Sequence, residues 1–244
     1  LKIIQFTPFT DNRIEEALED FDSKDYESLI IDLRNNPGGL FRSVIDIADL
    51  FLSEEVIVST RSRIPEENEV YTADQGVKIS GSKPIAVLIN KGSASASEIL
   101  AGALRDNDRA VLLGEQSYGK GSVQEVRNFG AGGFKLTTSR YYTPAGRNIE
   151  EVGIAPDLSV KPPELSDAEE EDLQTLNEST RIRKFVEEHR NPSEAQIDDF
   201  IETLESEGID LDERLIRKLI RDEVNRTNND PPVYDLDYDI VLQE

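Results

Sequence analysis

The chain has no cysteine, no methionine and no tryptophan, and a single histidine in 244 residues. Without cysteine there is neither a disulfide framework nor thiolate chemistry, and the compartment stays open because an extracytoplasmic protein needs no disulfide. The histidine, His189, lies in Glu187-Glu188-His189-Arg190, on what reads as the wet face of a charged helix far along the chain, so a Ser-His-Asp triad is a poor fit. No apolar run approaches the roughly 18 residues that span a bilayer, and no basic-then-apolar leader opens the chain. The lack of methionine behind a first residue Leu1 has two readings: an internal piece of a longer protein, or a sequence from which modified methionines are left out. Positive charge is scarce as well. Lys and Arg number 27 against 50 Asp and Glu, a net charge of −23 that disfavours nucleic acid and anionic membrane as partners.

The acidity is uneven: residues 1–160 carry 25 acids and 17 bases, residues 161–244 carry 25 and 10. The first part alternates apolar strands with amphipathic helices. Leu1–Phe6 reads as a strand, and Asp11 as the N-cap of a helix bearing Ile14, Leu18 and Phe21. Leu29–Leu33 is a short apolar strand that runs into Arg34-Asn35-Asn36-Pro37-Gly38-Gly39, followed by a helix with Val44, Ile45, Ala48 and Phe51. The unit repeats as strand Pro84–Asn90, a Ser-rich turn, a helix from about Ser97 to Asn107 and strand Ala110–Gly114. This rhythm predicts a mainly parallel α/β core, with further strands at 56–59, 70–72 and 134–140. Lys161-Pro162-Pro163 marks a boundary. Beyond it come charged helices over 167–189, from Ser193 to Leu204, and over 211–224, where Leu215, Ile216, Leu219 and Ile220 form a stripe that would meet either the α/β core or a second subunit. Pro231–Tyr234 looks extended, and Glu169–Asp172 reads as a solvated helix face.

Two turns carry the chemistry. Gly92-Ser93-Ala94-Ser95-Ala96-Ser97-Glu98 offers hydroxyls between a strand and a helix, where backbone N–H groups point out at the positive end of the helix dipole and can serve as oxyanion donors. Gly119-Lys120-Gly121-Ser122-Val123-Gln124 offers an amine. A serine hydroxyl needs a base, and a lysine serves only when neutral, a state that burial favours. Gln124 lies an even number of residues from Lys120, so in an extended strand it shares a face and can orient the amine without adding charge. Gly38-Gly39 could supply a second N–H. Each turn alone is also an ordinary tight turn, but three of them coincide in one α/β domain.

Those turns, together with Gly114-Glu115, Leu136-Thr137-Thr138, Arg140–Arg147 and Gly153-Ile154-Ala155-Pro156-Asp157, resemble the carboxy-terminal processing (tail-specific) protease family over residues 1–160. The resemblance implies a ClpP/crotonase-like α/β core; residues 161–244, a C-terminal acidic helical region, match no motif of the family and read as helices for packing or dimerisation, a use that family members often make of C-terminal helices. It implies Ser95 as nucleophile, Lys120 as general base, Gln124 as third member, and an oxyanion hole from the Ala96 N–H with that of Gly38 or Gly39. Asp106, a functionally sensitive acid in some members, reads as structural here. The implied activity is that of a serine endopeptidase acting near unstructured C-termini of protein or peptide substrates, with no metal or organic cofactor. The implied location is extracytoplasmic, in a bacterial periplasm or envelope. Family members often carry a PDZ domain, which is not visible in this sequence. The rivals are a non-catalytic peptide-binding or scaffolding protein on the same fold and a crotonase-type acyl-CoA enzyme, which needs no Lys-Gln pair.

Overall fold

The computed structural model describes residues 1–74, 79, 83–130, 132–161, 165–228 and 239. Its contacts divide the chain into two compact units, with the break after Val160. In chain order the first unit runs α1 (Thr10–Ser23), β1 (Leu29–Asp32), α2 (Phe41–Asp49), β2 (Val56–Ser62), β3 (Glu69–Thr72), β4 (Ile85–Ile89), α3 (Ala96–Asp106), β5 (Val111–Gly114), β6 (Ser122–Phe129), β7 (Gly132–Tyr142) and β8 (Leu158–Ser159). The short apolar strands pair in parallel in the order β1-β4-β5-β8, as expected where helices cover the faces of a sheet. A second sheet, β3-β2-β7-β6, is antiparallel throughout. The core is therefore half parallel rather than mainly so. Alternation in β6 and β7 allows a long hairpin whose outer half is exposed, and hairpins need no helical crossover.

Leu1–Phe6 forms isolated bridges rather than a strand: Lys2 pairs with Asp32 and Phe6 with Gly39, both in parallel. The first helix begins at Thr10, so Asp11 sits in its first turn rather than capping it. Ile31, Leu33, Val44, Ile47, Leu100 and Leu104 are fully buried between the parallel sheet and its helices.

The second unit is helical, with α4 (Asp167–Glu178), α5 (Arg181–His189), α6 (Glu194–Ser206) and α7 (Glu213–Asn228). The single helix expected over 167–189 breaks at Thr180, which takes φ +55°. Ser193 caps α6 as expected, with its backbone N–H donating to Gln196. The unit has a hydrophobic core of its own, including Leu176, Phe185, Val186, Ile201, Leu204, Ile216 and Ile220. The stripe on α7 is thus covered from within: Ile216 and Ile220 are buried there, and Leu215 and Leu219 pack against the same cluster. Arg217 bridges Glu194 and Asp198 of α6 to Glu213 of its own helix. His189 is half-buried rather than on the wet face, tilted against Phe185 with ring centroids 4.8 Å apart. Pro231–Tyr234 lies outside the described residues. Among the described residues no helix is long and apolar enough to cross a membrane.

Candidate active site

Because β1 and β4 are parallel and in register, Leu29 opposite Ile85, the turns at their carboxyl ends emerge side by side. This is where open α/β sheets place ligands. Asn36 joins the two turns. Its backbone oxygen accepts from Ala94 N and from Ser97 Oγ, both at 3.0 Å, on either side of Ser95. Asn35 and Asn90 are reciprocally bonded alongside.

The structure separates the three serines. Ser93 and Ser97 are fully buried and their hydroxyls are committed, Ser93 Oγ to Leu33 O at 2.8 Å and Ser97 Oγ to Asn36 O. Ser95 is half-buried, stands at the N-cap of α3 and takes φ 57°, ψ −115°. A serine at positive φ on a sharp strand-to-helix turn is strained, and such turns expose a hydroxyl at the top of a sheet. Of the three serines, Ser95 is the one that is not fully buried.

Glu98 is the residue that sequence reasoning passed over. It is fully buried and its carboxylate accepts four hydrogen bonds. Oε2 takes the backbone N–H groups of Ser95 and Lys120, each at 2.8 Å, and Oε1 takes Ser117 Oγ and Gly119 N, each at 2.6 Å. One oxygen therefore holds the serine turn and the lysine turn together. The signal was present as the Ser-x-x-Glu capping-box spacing of residues 95–98, but the box normally ties a helix only to its own cap. The lysine turn is braced from its other side as well. Gly121 N donates to Glu150 Oε2 at 2.7 Å, Glu151 N donates to Gly119 O, and Ile154 N donates to Ser117 Oγ. A Cβ on Gly121 would sit 2.3 Å from Glu150 N, so only glycine fits.

The other expected residues are placed as follows. The Lys120 side chain is exposed rather than buried. Gln124 is exposed on β6, and the parity that would align it with Lys120 is broken, because β6 starts at Ser122 and carries a register shift between Val123 and Gln124. Among the described residues no hydrogen bond joins Ser95 Oγ, Lys120 Nζ and the Gln124 amide to one another. Gly38 and Gly39 take φ +96° and +151°, and a Cβ on Gly38 would meet Ser95 Cβ at 2.8 Å, so the glycine turn lies directly against the serine turn. No cluster of three His, Asp or Glu side chains is arranged to hold a metal ion among the described residues.

Asp106, at the far end of α3, has a fully buried side chain bonded to Arg105 Nε, Arg147 and Ala145 N. Burial opposes its ionisation, but the adjacent Thr143 hydroxyl, the Ala145 amide and Arg105 outweigh it and hold the carboxyl below its usual range. A depressed folded pKa stabilises the fold above the unfolded value, about 3.9, and that stability is lost as pH falls through the folded pKa. Asp106→Asn is accordingly expected to lower stability by about 1.5–3 kcal/mol at pH 7. The difference from wild type should close on acidification, as followed by thermal unfolding across pH 7 to 2.

Residues 1–160 match the sequence model described as Peptidase family S41. The carboxy-terminal-processing protease of Bartonella bacilliformis is 47% identical over 169 residues, covering 67% of this chain and 38% of that protein. The carboxyl-terminal-processing protease of a Synechocystis strain is 42% identical over 170 residues, covering 69% and 39%. Among solved structures, a photosystem II D1 C-terminal processing protease superposes with a TM-score of 0.62 at 34% identity, covering 68% of this chain and 42% of that one. Mature CPAF shares the fold at 19% identity, with a TM-score of 0.54. The chain spans about two fifths of the length of these two curated relatives.

Proposed function

Because the chain belongs to peptidase family S41 and has that family's ClpP-like α/β fold, we propose that it is the catalytic core of a serine endopeptidase that cuts proteins or peptides near unstructured C-termini. The observation that carries this reading is the Glu98 carboxylate, which ties the backbone of a strained, accessible serine to the backbone of a lysine.

In the proposed reaction the Lys120 amine takes the Ser95 proton as Oγ attacks the scissile carbonyl. The developing oxyanion accepts from the Ala96 N–H and from the N–H of Gly38 or Gly39. Lys120 then returns the proton to the leaving amine, and the acyl group stays on Ser95 as an ester. In the second half Lys120 activates a water that hydrolyses this ester. Lys120 is exposed in the free protein, so the substrate itself, laid over the turn as an extended chain pairing beside the core sheet, supplies the desolvation that favours the neutral amine. Gln124 orients the amine once substrate closes the site. An extracytoplasmic location fits the reading, since such an enzyme meets unfolded tails of exported proteins. The separate core of the helical unit leaves its outer faces for a second subunit.

The test is digestion of a protein in folded and unfolded forms by the full-length enzyme, with products mapped by mass. Fragments starting near the C-terminus of the unfolded form, with the folded form spared, are expected. Binding of the unfolded chain without any cleavage would favour a peptide-binding scaffold.

A further inference from the structure

We propose that Asn36 is a positioning residue that decides which glycine amide serves the oxyanion: by occupying the Gly38 N–H it leaves the Gly39 N–H as the second donor. The inference rests on the serine peptidase reading and deepens it.

Three observations carry it. First, Asn36 is fully buried and both ends of its side-chain amide are committed: Oδ1 accepts from Gly38 N at 2.9 Å, and Nδ2 donates to Ile3 O at 2.6 Å. The Gly38 N–H is therefore turned into the protein. Second, Gly38 O accepts from Phe6 N at 3.0 Å, and Leu40 N donates to Phe6 O at 2.9 Å. In a trans peptide the N–H points opposite to the C=O of the same unit, so the Gly39 N–H points away from Phe6. The segment 1–6 pairs with one edge of β1 and β4 with the other, so the side away from Phe6 is the serine turn. Third, the Asn36 backbone oxygen is the acceptor for Ala94 N and Ser97 Oγ, which fixes the same glycine turn against both flanks of Ser95. The Ala96 N–H at the start of α3 and the Gly39 N–H then converge on the space above the Ser95 hydroxyl. Asn36 touches no substrate; it acts through Gly39.

The chain offers a direct readout, since Pro37-Gly38 is its only Pro-Gly pair. Carbonyl-labelled proline with nitrogen-labelled glycine therefore identifies the Gly38 amide, and carbonyl-labelled glycine narrows Gly39 to one of two Gly-Gly pairs. A peptide boronic acid is added to the whole protein. Its boron bonds to Ser95 Oγ, the serine proton passes to the Lys120 amine, and the resulting tetrahedral anion mimics the oxyanion. The Gly39 amide proton is expected to move downfield while Gly38 stays in place and protected from exchange. A downfield move of Gly38 in its place overturns the inference and leaves the peptidase reading standing. No adduct at all removes the peptidase reading, and the inference with it.

Asn36→Ala supplies the second measurement. It is expected to lower kcat about 10²-fold, the scale of a misplacement near 1 Å. Boronate affinity should fall in parallel, while binding of an uncleaved peptide, measured on a Ser95→Ala background, stays within about twofold of the variant lacking only the serine, since differential binding is confined to the transition state. Equal losses in peptide and boronate binding would mean a structural role alone, and overturn the proposal.

Discussion

Replacing Lys120 by alanine is expected to cut kcat/KM on an unfolded protein by about 10³–10⁴-fold, near the upper range for removal of a positioned general base. The chain has no cysteine and one histidine, and that histidine packs on Phe185 in the helical unit. Lys120 is the amine whose backbone is held by the same carboxylate oxygen as that of Ser95. Lys120→Arg should be no better than alanine, because a guanidinium stays protonated and cannot accept the serine proton. The pH profile carries the sign: in the proposed mechanism the base is the neutral amine, so the wild-type rate is expected to rise as pH increases from 6 to 10. That rise should vanish in Lys120→Ala. Residual activity with an unchanged pH profile would show that another group is the base.

Glu98→Ala is expected to lower kcat/KM by about 10²–10³-fold without touching any group that meets substrate. Removing the carboxylate strands four donors, the N–H groups of Ser95, Gly119 and Lys120 and the Ser117 hydroxyl, all at a buried site. Each unsatisfied donor costs about 1–3 kcal/mol, less than additively, so the two turns will separate rather than keep the vacancy. Glu98→Gln should also fail. An amide accepts at one oxygen only, and its NH2 would face either the Ser95 and Lys120 pair or the Ser117 and Gly119 pair of donors. Rates measured alongside circular dichroism distinguish this from unfolding: helix content should persist at 25 °C while turnover is lost. Wild-type turnover in Glu98→Gln would remove the clamp from the account.

The sequence made the parallel half of the fold legible because short apolar strands followed by turns and amphipathic helices leave few alternatives. The antiparallel half was less so. Segments 56–59 and 134–140 read as strands, but the hairpin partner β6 begins directly after the lysine turn, and its bulge between Val123 and Gln124 has no compositional mark. The side-by-side placement of the serine and glycine turns follows from strand order, which periodicity does not contain. Glu98 and Asn36 were hidden for a related reason. Both look local, a capping box and a turn residue, and both act across sequence separations of about 20 to 30 residues through bonds to Lys120 and Ile3. The break at Thr180 was invisible because threonine at positive φ carries no signature.

The proposed mechanism places the nucleophile at Ser95. Treating the full-length protein with a fluorophosphonate, which phosphonylates an activated serine with loss of fluoride, and then digesting with trypsin yields the fragment 92–105 containing Ser93, Ser95 and Ser97. Fragment-ion mass spectrometry locates the adduct. The account predicts a single modification on Ser95, absent in Ser95→Ala and strongly slowed in Lys120→Ala. A modification on Ser93 or Ser97, or labelling that survives in Ser95→Ala, would contradict it.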